Sequence, residues 1–302
     1  MSERVVQFGE RRRLVGTFTP PAPGLAPRDV GFVMFNAGVI PRIGPQRMYV
    51  KFAREMASLG FAALRFDLSG QGDSRAATGT LGFERQAVAD VRAALDHLAE
   101  TQGLRRFVLA GLCSGADHSY AAALEDPRVV GVVMLEPYAY PTLRTHLRSA
   151  LARLRRAGFI GAAWRTLKGR LSRASATAQA ATGNGRHRPS KDDFARGLAA
   201  LAGRGVEVYL LYSGSMTREY NYAGQFADGF RRYRLPACVS TDYIAEANHN
   251  RTELAMQRAW ISRVTAWSRR FVDAPAAAIG AAAERRPATG TAHAAMHAAQ
   301  GE

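Results

Sequence analysis

Between Glu136 and Asp192 the sequence has no acidic residue, while twelve arginines or lysines fall in the same interval. Most of the formal net charge of +16 therefore resides in one segment. Other scarcities narrow the function class. Two cysteines do not make a disulfide framework and suit a reducing compartment. No apolar run is long enough to span a bilayer. Met1 to Arg13 is polar and charged, unlike a signal peptide, so a cytoplasmic location is expected. No Cys/His cluster has zinc-ligand spacing, and neither a Walker loop nor a G-x-G-x-x-G fingerprint occurs, so no metal and no cofactor is expected. With 302 residues, 47% of them hydrophobic, the chain suffices for one large α/β domain with an insertion.

The most informative stretch is Phe107-Val-Leu-Ala-Gly-Leu-Cys-Ser-Gly-Ala116. Phe107 to Ala110 has the length and apolarity of a buried parallel strand. An Ala-rich helix is expected from about Ser114 to Leu124. Between them stands Gly111-Leu-Cys-Ser-Gly115, the frame G-x-nucleophile-x-G of a sharp strand-to-helix turn. Small flanking residues let backbone approach backbone. Cys113 holds the apex, and Ser114 comes one place too late to be the nucleophile. Its backbone N–H instead falls where an oxyanion donor is needed. At a helix N-terminus the positive end of the dipole favours thiolate over thiol. The plainer reading is that Cys113 is a small core hydrophobe.

Along the chain, strands are expected at Val5–Phe8, Arg12–Thr19, Phe32–Phe35, Ala62–Phe66, Val129–Leu135, Val206–Tyr212 and Ala237–Ile244. A helix follows Gly44-Pro45, with Met48, Phe52, Met56 and Leu59 at helical spacing. A second spans Glu84–Glu100, with Val88, Val91, Leu95 and Leu98 on one side. A closing helix spans Glu253–Phe271, with Trp260, Val264, Trp267 and Phe271 on one side, and Gln225–Tyr233 forms a shorter helix. Alternating strands and helices imply a mostly parallel, doubly wound sheet covered on both faces. The rhythm breaks at residues 141–204, read as a basic helical lid inserted after the sixth strand. Its expected helices are Thr142–Arg156, with Leu143, Leu147, Leu151 and Leu154 in a stripe, then Phe159–Arg173, and a third capped by Ser190 and Asp193 that ends near Ala202. Ala174 to Pro189 reads as a flexible loop. The core would then comprise residues 1–140 and 205–272, and residues 273–302 an Ala-rich disordered tail.

This order of parts resembles the α/β-hydrolase superfamily over about residues 4 to 271. The resemblance rests on the Gly111–Gly115 elbow and on the turn Asp67-x-x-Gly70-x-Gly72-x-Ser74 after the fourth strand. It rests also on Asn36-Ala37-Gly38, where many members have His-Gly, and on His249 between the last strand and the closing helix. More narrowly, Phe35–Pro45, Leu64–Gly70 and Gly111–Ala116 resemble hydrolases associated with bacterial exosortase and exopolysaccharide gene clusters. The superfamily resemblance implies Cys113 as nucleophile and His249 as general base. It implies an oxyanion hole from the backbone of Ser114 and of the Ala37-Gly38-Val39 turn, with Gly38 and Val39 the donors there. The usual triad acid follows the seventh strand, but Met216 stands at that place. Glu219 is the first substitute, Glu136 after the sixth strand the second, and Asp228 lies further along; a site without any carboxylate is the remaining reading. Of the other histidines, only His118, one turn past Cys113 on the elbow helix, has a chain position near the site.

These residues imply acyl transfer through a thioester on Cys113. Water as acceptor gives an esterase or thioesterase, and an alcohol or amine gives an acyltransferase. A catalytically reduced scaffold or binding protein is the reading from a different class, favoured by the missing acid at Met216. The basic segment suits an anionic carrier, such as an acyl carrier protein or a CoA thioester, or a polyanionic glycan. The leucine stripe beside arginine also permits peripheral contact with an anionic membrane. Nucleic acid is not favoured, because no reading motif accompanies the charge. The basic residues are almost all Arg, a bias that genome composition alone can produce.

Overall fold

Eight strands form one sheet in a computed structural model that describes residues 3–154, 188–247 and 254–273. They are β1 (Arg4–Phe8), β2 (Leu14–Thr19), β3 (Val30–Met34), β4 (Ala62–Phe66), β5 (Arg106–Leu112), β6 (Val129–Leu135), β7 (Glu207–Ser213) and β8 (Val239–Ile244). Their order is β1-β2-β4-β3-β5-β6-β7-β8. β1 and β2 pair antiparallel and β2 joins β4 antiparallel, while every pair from β4 through β8 is parallel. This is the α/β-hydrolase fold. β3, β4 and β6 are buried along their whole lengths, which is why β3 and β6 read as unbroken apolar runs and β4 as one interrupted only by Arg65, which pairs with Glu3 at 3.2 Å.

Helices cover both faces. On one lie α2 (Phe83–Gln102), α3 (Ser114–Glu125) and α5 (Lys191–Gly203); on the other lie α1 (Met48–Ser58) and α7 (Leu254–Ser268). Phe107 and Leu109 of β5 enter the first core with Val91, Leu95 and Leu198. Val108, Ala110 and Leu112 enter the second with Phe52, Met56, Trp260 and Val264. Period-two alternation in β5 thus feeds two cores at once. The register of β5 against β6 shifts between Phe107 and Val108, where the facing residue changes from Val129 to Gly131. A Cβ at Gly131 would lie 2.8 Å from the ring of Phe271, so the shift falls where a side chain does not fit.

β4 and β6 occupy the expected bounds. The closing helix divides at Arg269 into α7 and α8 (Arg270–Asp273), and in the last turn of α7 the Ser268 hydroxyl donates to the Val264 carbonyl at 2.8 Å. The helix expected at Gln225–Tyr233 stops as α6 (Gln225–Phe230) and tightens into a 3-10 turn over Arg231–Tyr233. In the segment after β6 the chain is helical over 143–154 (α4), and Ser190 caps α5 by accepting the Asp193 N–H at 3.1 Å. Phe194, Ala195, Leu198 and Leu201 bury α5 in the same core as β7 and α3, so this helix is part of the layer that covers the sheet. The expected helix Phe159–Arg173, nearly all of the loop after it and the tail from Pro275 lie outside the described residues.

Candidate active site

Cys113 stands at the C-terminal end of β5, between the ends of its sheet neighbours β3 and β6. β5 stops at Leu112 and α3 starts at Ser114, which leaves a single residue for the turn. That residue, Cys113, has φ 56° and ψ −120°, a conformation that L-residues rarely adopt. Holding it costs about 1–3 kcal/mol, which the surrounding packing must supply. Two glycines make the turn possible. A Cβ on Gly111 would collide with the Gly115 carbonyl, and one on Gly115 would lie 2.6 Å from the Asn36 carbonyl oxygen. The Cys113 N–H donates to the Leu135 carbonyl at 2.9 Å, fastening the apex to the end of β6. Ser114 begins α3, so its N–H is among those that a helix leaves without an internal partner.

The turn after β3 reaches over this apex. Gly38 N–H donates to the Ser114 hydroxyl at 2.9 Å, while Ala37 and Ile40 exchange backbone hydrogen bonds of 3.3 and 3.1 Å. Val39 is 88% exposed at the tip. One buried carboxylate holds the turn. Asp67 Oδ1 accepts from the Arg42 N–H at 2.7 Å and from Asn36 Nδ2 at 3.3 Å; Oδ2 accepts from the Arg42 guanidinium and from the Asp73 N–H at 3.2 Å. Asn36 Oδ1 in turn accepts the Leu68 N–H at 2.6 Å. Arg42 also pairs with Asp73 at 2.7 Å. Burial would lower the Arg42 pKa, but the two aspartates outweigh it and hold the guanidinium above its ordinary value. A Cβ on Gly72 would collide with the Asp67 carboxylate, and the Ser74 hydroxyl donates to the Asp67 carbonyl at 2.6 Å. The D-x-x-G-x-G-x-S pattern thus builds a scaffold for the neighbouring turn.

Glu136 is the first residue past β6, adjacent across the sheet to Cys113, since Leu112 pairs with Leu135. It is 2% exposed, has φ 51°, and its N–H donates to the Leu211 carbonyl at 2.8 Å. Its Oε1 accepts from the Ser213 hydroxyl and, at 2.9 Å, from the Ser215 hydroxyl. Tyr212 donates to the Tyr138 carbonyl at 3.1 Å and stacks on Tyr220 with ring centres 3.7 Å apart, so the segments after β6 and β7 are clamped together. Residues 37–192, just over half of the chain, match the family described as serine aminopeptidase, S33.

The chain belongs to that S33 α/β-hydrolase family. Solved structures share its fold at low identity. XC6422 of Xanthomonas campestris, described as an α/β serine hydrolase without a lid, is 14% identical, covering 91% of this chain and 97% of its own, with a TM-score of 0.55. An esterase of Pyrococcus furiosus, PF2001, is 14% identical over 90% of this chain and 91% of its own, TM-score 0.55. An esterase domain from Rhodothermus marinus is 17% identical over 89% and 99%, TM-score 0.54. No curated protein sequence matches the chain.

The remaining candidates of this S33 chain separate by position. Glu219 is exposed on the loop after β7, where its carbonyl accepts from Gln225. Asp228 is exposed on α6, accepting the Tyr222 hydroxyl at 2.7 Å with Arg144 3.8 Å away. Met216 is half-buried against the core in a 3-10 turn. His118 is buried on α3 with its ring edge-on to Phe83. His249 lies outside the described residues; Ala247, two residues before it, is buried in the same cluster as Leu112, Leu135 and Cys113. Sequence reasoning missed the two serine donors to Glu136, Ser213 and Ser215, which lie just before Met216. It also missed the partners of Asp67, Asn36 and Arg42, which flank the turn after β3. Among the described residues, no group of three or more His, Cys, Asp or Glu is arranged to hold a metal ion.

Proposed function

We propose that this S33 hydrolase cleaves an ester or thioester through a covalent acyl-cysteine on Cys113. The observation that carries the reading is the strained apex: Cys113 alone occupies the turn between β5 and α3, in the conformation that exposes a nucleophile. A buried structural cysteine needs no such strain. The thiolate attacks the acyl carbonyl carbon, forming the C–S bond. The carbon–oxygen or carbon–sulfur bond of the leaving group then breaks, and His249 gives the leaving group its proton. Water, deprotonated by the same imidazole, attacks the thioester carbon and releases the acid and the thiolate.

His249 is proposed as the base because two residues of chain reach at most about 7 Å from Ala247, which packs in the Cys113 cluster. Glu136 is proposed as the acid in preference to Glu219. Its burial, its place beside Cys113 and its two serine donors favour a fixed carboxylate, whereas Glu219 faces solvent. The Ser114 N–H supplies one oxyanion donor. Gly38 supplies a second when the oxyanion displaces the Ser114 hydroxyl, each donor contributing roughly 3–4 kcal/mol to the transition state. The stretches Phe35–Pro45, Leu64–Gly70 and Gly111–Ala116 support placement near the exosortase-associated hydrolases, within the same chemistry.

Intact-protein mass spectrometry after incubation with a panel of acyl esters and thioesters tests the reading. The expected result is a mass increase equal to one acyl group, absent from Cys113→Ala. Decay of the adduct in water identifies a hydrolase, and decay only with an added alcohol or amine identifies an acyltransferase. An adduct retained by Cys113→Ala overturns the assignment, and no adduct or turnover with any donor returns weight to a binding protein on a hydrolase scaffold.

A further inference from the structure

Helix α4 carries four leucines on the side that faces away from the protein. Leu143 is 78% exposed, Leu147 56%, Leu151 54% and Leu154 41%. They recur at intervals of four, four and three residues and so form one stripe, about 17 Å long at 1.5 Å per residue. The opposite side is the attached one. Thr145 is fully buried, and Asn221 Nδ2 donates to the Thr145 carbonyl and to the Ser149 hydroxyl, each at 3.1 Å. At 100° per residue the stripe and this attachment lie across the helix axis from one another. A soluble helix with this pattern normally turns the stripe inward; here polar contacts hold it outward.

Basic residues border the stripe. Arg144 lies over the Tyr222 ring at 4.6 Å and Arg148 at 6.0 Å, which sets both on one flank. Arg153 and His146 project from the other flank and are exposed. Among the described residues, Asp228 of α6, 3.8 Å from Arg144, is the carboxylate that faces the arginines of α4. From 137 to 191 the sequence supplies twelve cations and no anion.

We propose that α4 docks on an anionic lipid surface, its leucine stripe entering the acyl boundary and its flanking arginines meeting the lipid phosphates. Each half of the pattern needs a different phase, and an anionic membrane offers both. A second copy of the chain would bring the same cationic face against this one and be repelled. Nucleic acid would satisfy the arginines and leave the leucines in water. α4 follows Glu136 by seven residues and is held by the loop after β7, so docking would set the Cys113 end of the sheet toward the bilayer.

The test uses the full chain and vesicles of phosphatidylcholine, with and without phosphatidylglycerol. Sedimentation with the phosphatidylglycerol vesicles alone is expected, weakening as salt rises. Leu147→Glu/Leu151→Glu should lower the partition at least about tenfold with an unchanged melting temperature. Leu151→Trp should be quenched by acyl-brominated lipid beyond the quenching of the unsubstituted protein. Three results would overturn the proposal: no sedimentation of the unsubstituted chain, equal binding by the double variant, or no added quenching. A stripe-dependent complex with an acidic carrier protein, or a dimer dissolved by the double variant, would assign the face to protein and overturn it equally. No readout needs turnover, so the lipid proposal and the acyl reading can fail separately.

Discussion

Helices α3 and α4 both leave the C-terminal edge of the sheet after a buried strand, and they are held in opposite ways. Seven of the twelve residues of α3 are buried, most of them small, and its first turn is locked by Gly111, Gly115 and the Cys113–Leu135 hydrogen bond. In α4, over 143–154, only Thr145 is buried, and the large apolar residues face outward. Burial follows what a neighbouring element can accept rather than apolar content. α3 is narrow enough to pack directly on β5 and β6. α4 rests on a polar ledge formed by Asn221 and Tyr222 and leaves its leucines for something else.

The proposed chemistry sits on the α3 side, and the largest expected effect tests that. Glu136 belongs to that side, while Glu219 belongs to the loop that carries α4. Glu136→Gln should reduce kcat for acyl turnover by about 10²-fold, and Glu219→Gln should leave it unchanged. The reverse pattern in steady-state kinetics would move the acid to the α4 side. A smaller effect measures how tightly α3 is bound in. Gly115→Ala should lower stability by about 1–3 kcal/mol, read as a lower urea midpoint at constant slope, because the new Cβ presses on the Asn36 carbonyl. An unchanged midpoint would mean that the elbow is looser than its geometry. The smallest effect concerns α4. Leu147→Ser should shift stability by no more than about 0.5 kcal/mol in the same titration, since its side chain is already in water. A loss of several kcal/mol would show that the stripe is covered within the chain.

The same contrast explains what the sequence could disclose. The elbow was legible because its frame is set by steric exclusion: Gly111, the apex and Gly115 are required by contacts only a few residues apart. β6 was legible because a strand buried on both faces is uniformly apolar, and β4 because only Arg65 interrupts its apolar run. The stripe on α4 was legible as a face, but periodicity names a face without naming its cover. α5 was grouped with the basic insertion by chain position, and only the packing of Phe194 and Leu198 places it on the sheet. Glu136 was harder to rank. Its merit rests on hydroxyls 77 and 79 residues away, and pairings at such separation leave no local signature. The missing acid at Met216 points down the same loop to Glu219, whereas the buried carboxylate proposed here, Glu136, stands one strand over.

The Asp67 carboxylate has a consequence for how this protein can change. Asn36, Arg42 and Asp73 all depend on it, and the turn after β3 depends on them. Altering any one leaves the others with an unmatched charge or an orphaned donor. The fitness of a substitution at residue 42 is therefore conditional on residues 36, 67 and 73. Lineages should pass through this quartet by paired replacements or not at all, and it would behave as one unit of inheritance spread over two turns of the chain.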